Sequence, residues 1–357
     1  MKTLFYKLAL IALAAISPEI SFAQSCSDTT CCSSSFCCCN TDRSPAGVMI
    51  SHVHEKNQWM FSYRYMNTST DHLMEGTRSI SRSKVYANYQ MAPESMQMNM
   101  HMLMGMYGVN DKLTLMGMLN YSTMTMSMAS DNTMQHDHSG NMSMDRYNMT
   151  SSGLGDLKLF ALYSILKSED HQLLANIGMS VPTGSISRKG KSTDLMYSGQ
   201  RLAYNMQLGT GTVDFMPGMN YLYQNGKITI GSQISGSLRT GNNFLAYHLG
   251  NEINLNNWIA YQCLNVISSS VRMEMSKSGK INGRDPSLAL FTEPSANPLN
   301  YGGEKITCYV GAVFQAKKGF WKHNRLAAEY GLPVHQNLNG IQMAVQQVLY
   351  GSWSFQF

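Results

Sequence analysis

Between Met96 and Met106 the chain reads Met-Gln-Met-Asn-Met-His-Met-Leu-Met-Gly-Met, so methionine holds every second position. Only an extended strand, whose side chains alternate between two faces, keeps six such side chains together; a helix would scatter them. The six sulfurs then lie about 6.6 Å apart along one face, two steps of roughly 3.3 Å. The same period recurs elsewhere. From Trp59 one face reads Trp59, Phe61, Tyr63, Tyr65 and the other Met60, Ser62, Arg64, Met66. Near Ile228 the faces are Ile228, Ile230, Ile234, Leu238 and Thr229, Gln233, Ser235, Arg239; a third case sets Leu326, Ala328, Tyr330, Leu332, Val334 against Ala327, Glu329, Gly331. These are strands with one apolar and one polar face.

A soluble sandwich would alternate too, but the connections separate the two folds. Short breaks at Gly108–Asp111, Lys167–His171, Asn225-Gly226, Asn256-Asn257 and Lys317–Trp321 alternate with polar stretches at Asn67–Glu94, Thr125–Ser152, Gly184–Asn205, Thr240–Ala246, Ser276–Gly302 and His335–Gly340. Short turns at one end and long loops at the other mark an outer-membrane barrel. The expected fold is therefore an all-β, transmembrane antiparallel β-barrel of the outer membrane. Its expected strands number twelve, at 58–66, 95–107, 112–124, 154–166, 172–183, 206–224, 227–239, 246–256, 258–274, 303–316, 322–334 and 341–357. The even count leaves both ends in the periplasm. The last strand alternates Leu349, Gly351, Trp353, Phe355, Phe357 and ends on an aromatic residue, as outer-membrane strands commonly do.

Composition and the leader agree. Charged residues make up only 14% of the chain, against about 25% in soluble domains. A net charge of +5 over 357 residues is too weak for a nucleic-acid footprint. Lys2 and Lys7 flank the start of an apolar run from Leu8 to Ile16, and Ser21-Phe22-Ala23 offers a cleavage site. Residues 1–23 thus read as a secretory signal peptide, 24–46 as a Cys-rich periplasmic segment and 47–357 as the barrel. Cleavage would leave 357 − 23 = 334 residues.

Four motifs carry a resemblance. Gly153-Leu-Gly-Asp-Leu-Lys-Leu159, Val181-Pro-Thr-Gly-Ser185, Leu208-Gly-Thr-Gly-Thr-Val-Asp-Phe-Met-Pro-Gly218 and Glu329-Tyr-Gly-Leu-Pro-Val334 resemble the outer-membrane family labelled after the meta-cleavage pathway of phenol degradation. The resemblance runs from about Pro45 to Phe357 and implies a transporter barrel. Its motifs are strand and turn signatures, informative for fold rather than substrate.

Methionine, histidine and cysteine point further. Of 29 methionines, 16 lie between Met91 and Met149. Met96, Met98, Met100, Met102, Met104 and Met106 could face lipid, because Gln97, Asn99 and His101 oppose them. The next strand argues for the lumen. There Leu113, Leu115, Leu119 and Tyr121 form the apolar face, while Met116 and Met118 share theirs with Thr114, Asn120 and Ser122. The loop beyond carries Met124, Met126, Met128, Met134, His136, His138, Met142, Met144 and Met149 with Asp131, Asp137 and Asp145. Thioethers are soft neutral ligands that select Cu(I) and, by the same softness, Ag(I); imidazole suits copper in either state. The run from His136 to Met144 resembles the Met/His repeats of copper-resistance proteins. His52 and His54, with Met49 nearby, form a weaker pair on the periplasmic side. Cys26, Cys31, Cys32, Cys37, Cys38 and Cys39 fit soft-metal binding, disulfides in an oxidising compartment, or neither. Cys263 and Cys308 fall on neighbouring expected strands as apolar fillers. Arg64, Arg239, Glu252, Arg325 and Glu329 face inward, to pair with one another or to gate a polar path.

No enzyme is expected. There is no Gly-x-Ser-x-Gly elbow, and no strand histidine has an outward serine partner. The expected function is an outer-membrane transporter or channel for Cu(I) or Ag(I), with no cofactor required. Its expected partners are outer-membrane lipid, the soft metal ions and periplasmic copper-handling proteins. The alternatives are a passive channel for small hydrophobic or aromatic solutes and a non-transporting barrel that sequesters metal.

Overall fold

A computed structural model of the protein describes residues 42–130, 146–193, 198–316 and 321–357. The alternating segments form β1 (Trp59–Gly76), β2 (Met91–Asn110), β3 (Leu113–Ser130), β4 (Arg146–Leu154), β5 (Leu157–Lys167) and β6 (His171–Val181). They continue as β7 (Asp214–Asn225), β8 (Ile228–Arg239), β9 (Glu252–Leu264), β10 (Ile267–Ser278), β11 (Gly303–Gln315) and β12 (Asn324–Gln356). All pair antiparallel with their neighbours, and β4 and β5 share the two halves of β3. Within β12, residues 325–338 pair with β11 and 341–356 with β1, and the reversal falls at Asn339-Gly340, where Gly340 has φ +62°. A ring of eleven strands is thus closed. Counting the return of β12 gives 11 + 1 = 12 crossings.

The seam between β12 and β1 runs on to Phe357. Phe357 and Trp59 exchange backbone hydrogen bonds of 3.0 and 2.9 Å, and the Phe61 and Phe357 rings lie 5.9 Å apart. Outward positions expose Phe61, Leu103, Leu115, Ile177, Ile259, Val271, Val310 and Val334. A belt of this kind is unstable in water and is what a barrel presents to lipid. Inward, three large rings lie across cross-strand glycines: Phe160 over Gly178, Trp258 over Gly231 and Tyr309 over Gly331. A Cβ at any of these glycines would fall within about 2.3 Å of the ring, so the missing side chain makes the packing.

Two sequence expectations need correction. Asn256-Asn257 is not a turn; it lies inside β9, and the reversal comes after Leu264. Asn256 faces the lumen and accepts a 2.7 Å hydrogen bond from Arg272, so its polarity serves an interior contact rather than a loop. Cys263 and Cys308 therefore sit on β9 and β11, with β10 between them. The long-loop ends also begin later than hydropathy indicates. β1 runs to Gly76 and β3 to Ser130, and most of His335–Gly340 is strand. Beyond the apolar belt both faces of a strand are wet, so alternation fades while the backbone ladder continues.

Residues 42–58 do not hang outside the barrel. They enter the lumen from the short-turn end, rise to about Val48 and return to β1. Arg43 donates to Gly226 O and Gln262 Oε1 at 2.9 and 2.6 Å, and Asn57 N reaches Gly108 O at 2.8 Å, which places both ends at short turns. The expected boundary at 46/47 falls inside this inserted segment.

Candidate functional site

The inserted segment has no regular secondary structure, so its backbone groups need partners from the wall. They find them among inward side chains. Arg64 donates to Val48 O at 3.1 Å, Asn220 to Ile50 O at 3.0 Å, and Arg325 to Asp42 O at 3.0 Å. Gln233 donates to Met49 O, and Gly47 N donates to Glu329 Oε2. A Cβ on Gly47 would stand 2.1 Å from an Arg272 nitrogen, so only glycine fits there. Ile50 is held at φ +61°, a left-handed conformation that a β-branched residue adopts only under constraint.

Arg272, 1% exposed, organises one side of the lumen. It donates to Glu329 at 3.0 Å, Glu274 at 2.9 Å and Asn256 at 2.7 Å, and its guanidinium lies 3.7 Å from the centre of the Tyr309 ring. Nearer the long loops, Arg239 pairs with Asp214. Of the inward charges expected from sequence, Arg239, Arg325 and Glu329 are in ion pairs, whereas Arg64 serves backbone oxygen. Arg272 and Asp214 were not among them, although the alternation Ser268, Ser270, Arg272 carries the signal.

The opposite wall is made of thioethers. All the ladder methionines of β2 and β3 turn inward, and Leu103, Leu115, Leu119 and Tyr121 turn outward. Registry sets Met96 opposite Met126, Met98 opposite Met124, Met104 opposite Met118 and Met106 opposite Met116. Directly opposed residues have Cβ atoms about 4.5–5.5 Å apart, so the sulfurs form a double column. Near the short turns Met106 and Met116 pack with Met60 and Met216. Above them Met102, Met104 and Met118 gather Met49, Met66 and Met100. Under the long loops Met91, Met124, Met126, Met128, Met149 and Met206 cluster with Met96, Met98 and Met343. Met206, Met216 and Met343 come from distant segments, and no local pattern announces their convergence.

His52 and His54 lie within the inserted segment, with ring centres 4.8 Å apart. His54 N donates to Thr114 Oγ1 at 2.8 Å, and its buried Nε2 has no partner. Burial, then the neighbouring His52, lowers the His54 pKa to about 3, so its imidazole is neutral at pH 7. His52 approaches Asp42 at 3.4 Å. A cavity of about 40 Å³ separates His52 from Met49, Met60, Met104, Met106 and Met116. His52 and the ladder, separate in sequence, thus border one space.

At the other end the described parts of the long loops form a cap in which Tyr204, Tyr247 and Ile281 pack together and Arg201 pairs with Asp285 at 2.9 Å. Glu293 is buried in this cap with one carboxyl oxygen unpartnered, and burial pushes its pKa up to about 7. Met134, His136, His138, Met142, Met144 and Cys26 through Cys39 lie outside the described residues. Among the described residues no group of three or more His, Cys, Asp or Glu side chains is arranged to hold a metal ion.

No family model matches the sequence, and no curated protein matches it. Solved structures do resemble the fold. The COG4313 outer membrane channel from Pseudomonas putida F1 aligns with a TM-score of 0.56 at 16% identity, over 86% of this chain and 98% of that one. A Pseudomonas aeruginosa FadL homologue aligns at 0.42 and 10% identity, over 84% and 90%. The first of these likenesses and the apolar belt give the chain the fold of an outer-membrane β-barrel.

Proposed function

We propose that this protein is an outer-membrane transporter that binds Cu(I) or Ag(I) and passes it along the methionine column. The observation that carries the reading is the convergence of thioethers from β1, β2, β3, β4, the long loops and the inserted segment on one side of the lumen. Soft neutral ligands favour soft monovalent ions, and several weak sites in series suit passage because each releases what it binds. In this reading His136, His138 and the loop methionines capture ions outside, and the cavity beside His52 receives them at the periplasmic end. The cysteines and periplasmic copper-handling proteins follow. The test replaces Met102, Met104, Met106, Met116 and Met118 by leucine and titrates Ag(I), and Cu(I) under reducing conditions, into the refolded barrel. Loss of bound ions with folding retained is expected; an unchanged titration would sink the reading.

A second reading has its own observation. A groove of about 820 Å³ opens on the outer face beside Gly105 and Gly117, lined by Leu115, Leu159, Ile177 and Phe215 and reaching Met106 and Met116. It favours a passive channel for small hydrophobic or aromatic solutes, with methionine as an apolar lining. Uptake of such a solute by vesicles carrying the leucine variant would support it.

A further inference from the structure

The methionine cluster under the long loops is touched by a polar side chain whose bonding is incomplete. Met96 and Met126 are cross-strand partners, both facing inward. Asn205, in the short 3-10 turn Tyr204–Met206, reaches down to them. Its Nδ2 lies 3.8 Å from Met96 Sδ and 3.9 Å from Met126 Sδ. Its Oδ1 is buried without a hydrogen-bond partner, an arrangement that folding does not favour. The backbone is fixed: Asn205 N donates to Tyr301 OH at 3.2 Å, which donates to Ser295 O at 2.7 Å. Only the amide is free to turn.

We infer that Asn205, Met96 and Met126 form a two-sulfur, one-oxygen site for a single soft monovalent cation, Cu(I) or Ag(I). A half turn of the carboxamide exchanges its nitrogen and oxygen, which have nearly the same shape. The oxygen then joins the two sulfurs, and three lone pairs face one point. Empty, such a site is repulsive, and the amide turns its N–H group to the thioethers instead. A cation reverses the preference. The apolar residues packed around it, Met91, Met124, Met128, Leu202 and Met206, offer further sulfur but no oxygen ligand. Two thioethers and one neutral oxygen suit a soft ion of single charge.

This inference rests on the soft-metal reading and locates a site within it. The test titrates Ag(I) into the refolded full-length protein carrying ¹³C-methyl methionine and counts the ions bound. Asn205→Leu should remove one equivalent of Ag(I), together with the shifts of the Met96 and Met126 methyl signals. Asn205→Asp, which sets a negative charge beside the same sulfurs, should tighten that equivalent by roughly tenfold. Both variants are checked for folding by their heat-dependent migration on gels. If Asn205→Leu keeps every equivalent and both methyl shifts while the five-leucine ladder variant loses ions, this site is wrong and the transport reading stands. If the unaltered protein takes up no Ag(I), both fall together.

Discussion

The two walls of the lumen solve opposite problems. From β8 to β12 charged and strongly polar side chains point inward beside the Trp258 and Tyr309 rings, and each contact named there ends on a partner: Arg272 on Glu329, Glu274 and Asn256, Gln233 on Met49 O, and Arg325 on Asp42 O. From β2 to β4 thioethers predominate, weak acceptors that need no partner when buried. The charged wall spends its bonding capacity on holding residues 42–58 in place. On the thioether wall Met91, Met96 and Met126 accept hydrogen bonds, and the lone pairs of Met102, Met104, Met106, Met116 and Met118 stay open to a ligand. Function is better sought on the wall whose chemistry is unspent than on the one whose contacts are the most conspicuous.

Substitutions should separate the walls by size of effect. The largest is expected for Glu329→Leu, which strands Arg272 without its main counter-charge and removes the acceptor for Gly47 N. Breaking one side of a buried pair costs about 3–5 kcal/mol. Urea unfolding in vesicles should show the loss, and planar-bilayer recordings should show raised conductance as the inserted segment leaves. Next comes Gly47→Ala, whose methyl group would collide with Arg272. Overpacking of that kind costs about 1–3 kcal/mol, and the same recordings should detect a smaller rise. Smallest is Met104→Leu on the opposite wall, expected below about 1.5 kcal/mol because leucine nearly conserves the volume. A loss from Met104→Leu equal to that from Glu329→Leu would erase the distinction between a holding wall and a binding wall.

Much of the barrel was legible because a two-faced strand between lipid and lumen writes its period into the sequence. The inward direction of the Met96–Met106 ladder followed from the leucines on the neighbouring strand, and the exposures of Leu103 and Leu115 agree with it. Other features left no such trace. Residues 42–58 have no period, since they are held by side chains from strands far along the chain, such as Asn220, Gln233 and Arg325. Asn256-Asn257 reads as a turn because asparagine suits turns and polar lumens alike. Asn205 ended the expected polar stretch Gly184–Asn205, and only the closed fold brings it to Met96 and Met126. Registry around a ring decides which inward residues meet, and one strand's pattern does not contain it.

The path of the inserted segment has a mechanical consequence. Its two ends leave by the same mouth of the barrel, near Gly226 and Gly108. A pull on Asp42 along the barrel axis would therefore load its attachments one after another: Arg43 and Asp42 first, then Gly47 at Glu329, then Met49 and Ile50. A hairpin drawn out this way peels, and the force required is that of its strongest single attachment rather than of their sum. The segment can thus stay seated for long periods at rest and still yield to a modest, directed tug.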